Sequence, residues 1–124
     1  MKLGLIIMTF LSSLFGAKAQ ETDTMKIYEP LQFKEAVADG NVQLVDVRTE
    51  KEYNEGAIAN AENIDYFKQD TFKAQFEKFN KDEPLYLYCR SGNRSQKAAT
   101  ILQQMGFMQI IDLKGGYMGW PYKN

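Results

Sequence analysis

Leu85-Tyr86-Leu87-Tyr88-Cys89-Arg90-Ser91-Gly92-Asn93-Arg94-Ser95 is the stretch on which the fold turns. Its first residues are apolar or aromatic without a break and follow Pro84, a pattern that predicts a strand buried on both faces. The polar run from Cys89 to Ser95 interrupts that pattern. Ala98, Ile101, Leu102 and Met105 then recur at helical spacing until Gly106 closes the helix. A strand, a tight polar loop and a helix in this order make half of a parallel β-α-β unit. Cys89 opens the loop. It faces backbone N–H groups at a helix N-terminus and the guanidinium groups of Arg90 and Arg94, surroundings that favour a thiolate.

Further units follow on either side. Phe33, Ala36 and Val37 fall at helical spacing behind Pro30, and Asp39-Gly40 ends that helix. Val42 to Val47 reads as a second buried strand. Thr49 caps a short helix through Tyr53, with Glu52 at the capping-box position and Gly56 as its terminator. Asn63-Ile64 is a brief strand, and Phe72, Phe76 and Phe79 line a core-facing helix from Gln69 to Phe79. Gln109 to Leu113 is a third full strand, and Gly115-Gly116 opens a last short helix that carries Trp120. Strands alternating with helices predict an α/β domain with an open parallel sheet flanked by helices on both faces. Ligands of such sheets bind beyond the carboxyl ends of the strands. Asp46 to Arg48 and Cys89 to Arg94 both fall there.

The chain has 124 residues, enough for one compact domain, and is 44% hydrophobic and 25% charged, an ordinary globular composition. A net charge of −1 gives no basic excess to attract nucleic acid or an anionic membrane. With no histidine and one cysteine, any metal site is left with carboxylate and other oxygen ligands, which argues against zinc, and neither a metal nor a cofactor is expected. Met1-Lys2, the apolar stretch Leu3 to Gly16 and the small-x-small pattern Ala17-Lys18-Ala19 read as a secretory signal peptide over residues 1–19. Its removal takes Lys2 and Lys18 with it and moves the net charge from −1 to −3. Residues 20–27 are expected to form a flexible lead-in and residues 28–122 the domain. The protein is therefore expected to be exported, periplasmic or secreted, with no membrane contact after cleavage.

A lone thiol in an exported chain cannot form an internal bridge. The polar residues around Cys89 argue against a buried, inert role for it, and without histidine it must be activated by its own loop. Gly92 supplies backbone freedom for consecutive amides to form an anion-binding concavity. Such a cysteine suits phosphate or arsenate chemistry, or transfer of a sulfane sulfur. A phosphatase cradle sets its arginine one residue further along. Here four residues separate Cys89 from Arg94, a loop better sized for one sulfur atom. A carrier or partner-binding module without catalysis is the third reading.

The motifs resemble those of single-domain rhodaneses, which are thiosulfate sulfurtransferase-like proteins. Asp46-Val47-Arg48 with Glu52-Tyr53, the Cys89-Arg90-Ser91-Gly92-Asn93-Arg94-Ser95 loop, Gly106-Phe107, and Leu113-Lys114-Gly115-Gly116 with Trp120 stand in the family's order. The resemblance implies a parallel sheet of about five strands flanked by helices. It implies Cys89 as the sulfur acceptor, with Arg90, Ser91, Gly92, Asn93 and Arg94 holding the persulfide and Asp46, Arg48 and Ser95 in support. The implied partners are a small anionic sulfur donor such as thiosulfate and a cyanide, thiol or protein acceptor. One segment departs from the family: Gly56-Ala57-Ile58-Ala59-Asn60-Ala61 stands where Gly-His-Ile-Pro-Gly-Ala is usual.

Overall fold

The computed structural model describes residues 24–123. A parallel sheet of five strands runs in the order β1-β5-β4-β2-β3, formed by β1 (Met25–Tyr28), β2 (Gln43–Asp46), β3 (Glu62–Asn63), β4 (Leu85–Tyr88) and β5 (Ile110–Leu113). Four α-helices connect them: α1 (Pro30–Val37), α2 (Glu50–Glu55), α3 (Gln69–Phe76) and α4 (Asn93–Gln104). A 3₁₀ turn, Tyr117–Gly119, follows β5.

Alternation along the strands divides the core between two faces. Leu85, Leu87 and Cys89 of the β4 segment join Val45, Val47 and Ile110 under α3 and α4, which contribute Phe72, Phe76, Ala98, Ala99 and Leu102. Tyr86 and Tyr88 point the other way, joining Leu44, Ile111 and Leu113 beneath Phe33 and Val37 of α1 and beside Trp120. Helices thus cover both faces, as the alternating pattern predicts. The central strand β4 is buried at every residue, which is why its sequence carries no polar interruption.

Several boundaries differ from expectation. The expected lead-in includes a strand: Met25 to Tyr28 pair in parallel with Ile110 to Leu113 at the sheet edge. Its burial is slight and Ile27 is 58% exposed, so backbone pairing rather than apolar patterning holds β1. The helix expected to reach Phe79 ends at Phe76, and the chain turns through Phe79 N–H to Phe76 O at 3.2 Å before Asn80 meets Gln43. The brief strand lies at Glu62–Asn63 rather than Asn63-Ile64, paired with Val45 and Asp46. The expected signal peptide lies outside the described residues.

Candidate active site

Cys89 follows β4 directly, and Gly92 turns the chain into α4 from a left-handed backbone conformation at φ 106°. A side chain at that φ would be strained, so the short loop depends on glycine there. The turn brings the amide of Gly92 to donate to Cys89 Sγ at 3.0 Å, and Ser95 Oγ lies 3.3 Å from the same sulfur. The amides of Asn93, Arg94 and Ser95 head α4, and no acceptor for them is found among the described residues. Among the described residues no three His, Cys, Asp or Glu side chains group as ligands for a metal ion.

Burial of the thiol corrects the sequence expectation. Cys89 is 1% exposed and packs with Val47, Leu87 and Ala98, despite its polar neighbours in sequence. The polar residues form the loop's outer wall, while Cys89 keeps the inward alternation of β4. Its sulfur therefore has an apolar floor and a polar roof.

The loop is held from three sides. From below, the Gly115-Gly116 turn approaches so closely that a Cβ on Gly116 would lie 2.5 Å from the Arg90 carbonyl carbon and oxygen. Tyr117 N–H donates to Cys89 O and Met118 N–H to Arg90 O, each at 2.8 Å. These bonds fix the carbonyls of Cys89 and Arg90 on the side of the turn, while the Gly92 amide points at the sulfur. From one side, Glu52 accepts both guanidinium nitrogens of Arg94, at 2.8 and 3.0 Å. Sequence reasoning gives Glu52 as a capping residue and as part of a family motif, but not as the partner of Arg94. The cap is formed as well, since Glu52 Oε1 accepts from Thr49 N–H at 3.0 Å while Thr49 Oγ1 accepts from Glu52 N–H at 3.2 Å. The Arg94 hydrogen bonds, foremost, hold the Glu52 carboxyl down at about 2, and the Glu52 carboxylate in turn raises Arg94.

The third support is the end of β2. Asp46 and Arg48 are both buried, with Arg48 Nε donating to Asp46 Oδ1 and Oδ2 at 3.0 Å and Nη2 to Oδ2 at 2.6 Å. Arg48 Nη2 also donates to Gly56 O at 2.7 Å, and its guanidinium lies 4.4 Å from the Tyr117 ring centroid. The pair therefore ties the β2 end, the turn after α2 and the turn under the loop into one unit. In the departing segment, Asn60 takes the positive φ of 71°, a conformation that asparagine tolerates where glycine is usual in the family. Tyr88 Oη accepts from Ile58 N–H at 3.0 Å and Tyr53 Oη donates to Ala61 O at 2.6 Å, closing that turn without histidine or proline.

The predicted loop residues are thus brought together, but their charges differ from expectation. Arg94 is engaged by Glu52 and lies 5.1 Å from the Phe67 ring. Arg90 is exposed, and its side chain has no hydrogen-bond or ion-pair partner among the described residues. It lines a cleft of about 290 Å³ with Arg48, Tyr117, Met118 and Lys123. Glu52 and Glu55 line the same cleft, so Arg90 stands among both signs of charge, while Lys123 donates to Met118 O at 3.5 Å and lies 4.8 Å from the Tyr117 ring centroid. Lys123 lies in a tail whose sequence gives no sign of this placement.

A family model described as "Rhodanese-like domain" matches residues 29–122. Thiosulfate sulfurtransferase GlpE of Coxiella burnetii is 33% identical over 90 residues, covering 73% of this chain and 81% of that protein. YqhL of Bacillus subtilis, described as an uncharacterized protein, is 38% identical over 81 residues. That match covers 65% of this chain and 62% of YqhL, so the chain spans less than two thirds of its length. Among solved structures, a rhodanese-like domain protein from Staphylococcus aureus superposes with a TM-score of 0.68 and 32% identity, covering 81% of this chain and 97% of that one.

Proposed function

The chain belongs to the rhodanese-like domain family, and from that premise we propose that it is a sulfurtransferase carrying a sulfane sulfur on Cys89 as a persulfide. The observation that carries this reading is the loop itself. One amide already donates to Sγ at 3.0 Å, and the unpaired amides of Asn93, Arg94 and Ser95 stand at the head of α4 beside it. A terminal sulfur added to Sγ is an anion, and a concavity of backbone N–H groups at a helix N-terminus suits one.

In the first half-reaction the Cys89 thiolate attacks the outer sulfur of a donor such as thiosulfate. A bond from Sγ to that sulfur forms, the donor's S–S bond breaks, and sulfite leaves with the electron pair. In the second, an acceptor such as cyanide attacks the terminal sulfur. The persulfide bond breaks, thiocyanate leaves and the thiolate returns. Arg90 and Lys123 border the cleft and, against the single carboxylate Glu55 that no cation there pairs with, leave it a modest positive balance for an anionic donor. Arg48 with Asp46, and Arg94 with Glu52, hold the walls. The small loop and the engagement of Arg94 disfavour the phosphatase reading, since no second guanidinium is free to cradle a tetrahedral oxyanion.

The test is thiocyanate production from thiosulfate and cyanide by the wild-type protein and by Cys89→Ser. Turnover lost in the variant supports the reading. Cys89-dependent hydrolysis of an aryl phosphate or reduction of arsenate without thiocyanate formation overturns it. Persulfide formation without discharge to any small acceptor supports a carrier role instead. The proposal also places the reaction outside the cytoplasm, supported by the pattern at residues 1–19. A mature N-terminus near Gln20 in the exported fraction is the expected result.

A further inference from the structure

Asp112 of β5 is 3% exposed, and only half of its carboxylate is satisfied. Oδ2 accepts from Gln96 Nε2 at 2.7 Å, whereas Oδ1 has no hydrogen-bond partner among the described residues. A buried polar atom without a partner calls for an explanation. Ser95, fully buried in the first turn of α4, precedes Gln96 and lies against the reactive sulfur. Its Oγ lies 3.3 Å from Cys89 Sγ, the next residue of α4 is the Gln96 that binds Oδ2, and the Ser95 hydroxyl helps to lower the Asp112 carboxyl although it completes no hydrogen bond to Oδ1. One hydroxyl proton thus has two claimants.

The remaining neighbours carry no charge. Leu87 of β4 and Ile27 of β1 flank Asp112 in register, and Ser95 and Gln96 face it from α4. The titratable group that this set brings to Asp112 is Cys89, through Ser95. Burial, the largest influence, raises the Asp112 carboxyl above its ordinary value, and Gln96, Ser95 and the Leu113 amide pull it partly back.

We propose that Asp112 is the proton acceptor for Cys89, acting through the Ser95 hydroxyl as a positioning residue. The inference rests on the reading of Cys89 as the nucleophile. The Cys89 S–H proton passes to Ser95 Oγ while the Ser95 hydroxyl proton passes to Asp112 Oδ1. An S–H and an O–H bond break, two O–H bonds form, nothing is oxidised or reduced, and the charge of the trio is unchanged. The product is a thiolate and a neutral carboxylic acid. Oδ1 then donates to Ser95 Oγ, and the Ser95 hydroxyl donates to Sγ, so the orphaned oxygen and the new anion are satisfied together. Burial that penalises a carboxylate favours the neutral acid. In a chain without histidine, this buried acid supplies the proton acceptor that an imidazole provides elsewhere.

The test is the pH profile of Cys89 alkylation by iodoacetamide in the folded full chain, with no sulfur donor present. Two groups sharing a proton titrate in two macroscopic steps. The wild-type rate is therefore expected to rise in two steps separated by a plateau. Asp112→Asn removes the acceptor and leaves a single step. Ser95→Ala breaks the relay without touching the charge, leaves a single step, and slows alkylation at neutral pH about tenfold, the equivalent of one pKa unit. Ser95→Thr keeps the hydroxyl and the two steps. A single-step wild-type profile, or two steps surviving in Asp112→Asn, overturns the proposal. If Asp112→Asn does not fold, the wild-type and Ser95→Ala profiles decide the matter. Because alkylation needs no persulfide, the outcome is independent of whether Cys89 transfers sulfur.

Discussion

At Cys89 the sequence and the structure agree on chemistry and differ on exposure. The loop composition announces a polar site, yet the side chain obeys the alternation of β4 and faces the core. Polar neighbours in sequence do not place a residue outside when the strand before it sets the direction of its side chain. The residues that brace the loop were harder to read. Asp46 and Arg48 stand in a recognisable motif, but the partners of Glu52 and Asp112 lie far away in sequence and no local pattern reveals them. Asp46→Asn leaves Arg48 buried without its counter-charge, and a loss of about 3–5 kcal/mol in chemical denaturation is expected. Glu52 gives a pH-dependent prediction. Its folded value of about 2 lies below the ordinary 4.5, so the pair with Arg94 stabilises the fold fully above pH 4.5. That contribution fades as pH falls toward 2, because the unfolded chain binds the proton first. Glu52→Gln is expected to lower the melting temperature at neutral pH and to reduce the acid sensitivity between pH 4.5 and 2, measured by thermal melts across that range.

Elements were legible in proportion to how strongly they pattern. The β4 strand, with no polar residue, was read to the residue, and the capping box at Thr49 and Glu52 located the start of α2. The β1 edge strand was missed because Met25 to Tyr28 bury little, with Lys26 and Ile27 exposed, and pairing with β5 does most to hold them. The turn after β5 shows how an element far from the thiol shapes it. A pair of glycines can be read as a turn from sequence, but the contact of Gly116 with the Arg90 carbonyl cannot. Gly116→Ala forces a methyl against that backbone from a φ of 61°, and nothing there is a flexible side chain that could move aside. We expect a stability loss of about 2 kcal/mol in denaturant titration. Persulfide formation should slow as well, since the turn that fixes Cys89 O and Arg90 O is displaced.

For the whole molecule, the parallel order and the coverage of both faces follow from strands alternating with helices, and the site lies where such sheets bind ligands. The core beneath α3 and α4 and the core beneath α1 meet at β4, so the strand that delivers Cys89 is buried along its whole length. A rigid central strand ending in a thiol, with a glycine-turned loop above it, is suited to presenting one atom to a ring of amides. The account therefore stands or falls on whether that atom accepts sulfur. Intact-mass analysis of the full chain after incubation with thiosulfate tests this most directly. The account predicts a gain of one sulfur atom on the wild-type protein, reversed by cyanide and absent from Cys89→Ala. A folded wild-type protein that gains no sulfur from thiosulfate or any other sulfane donor would contradict it.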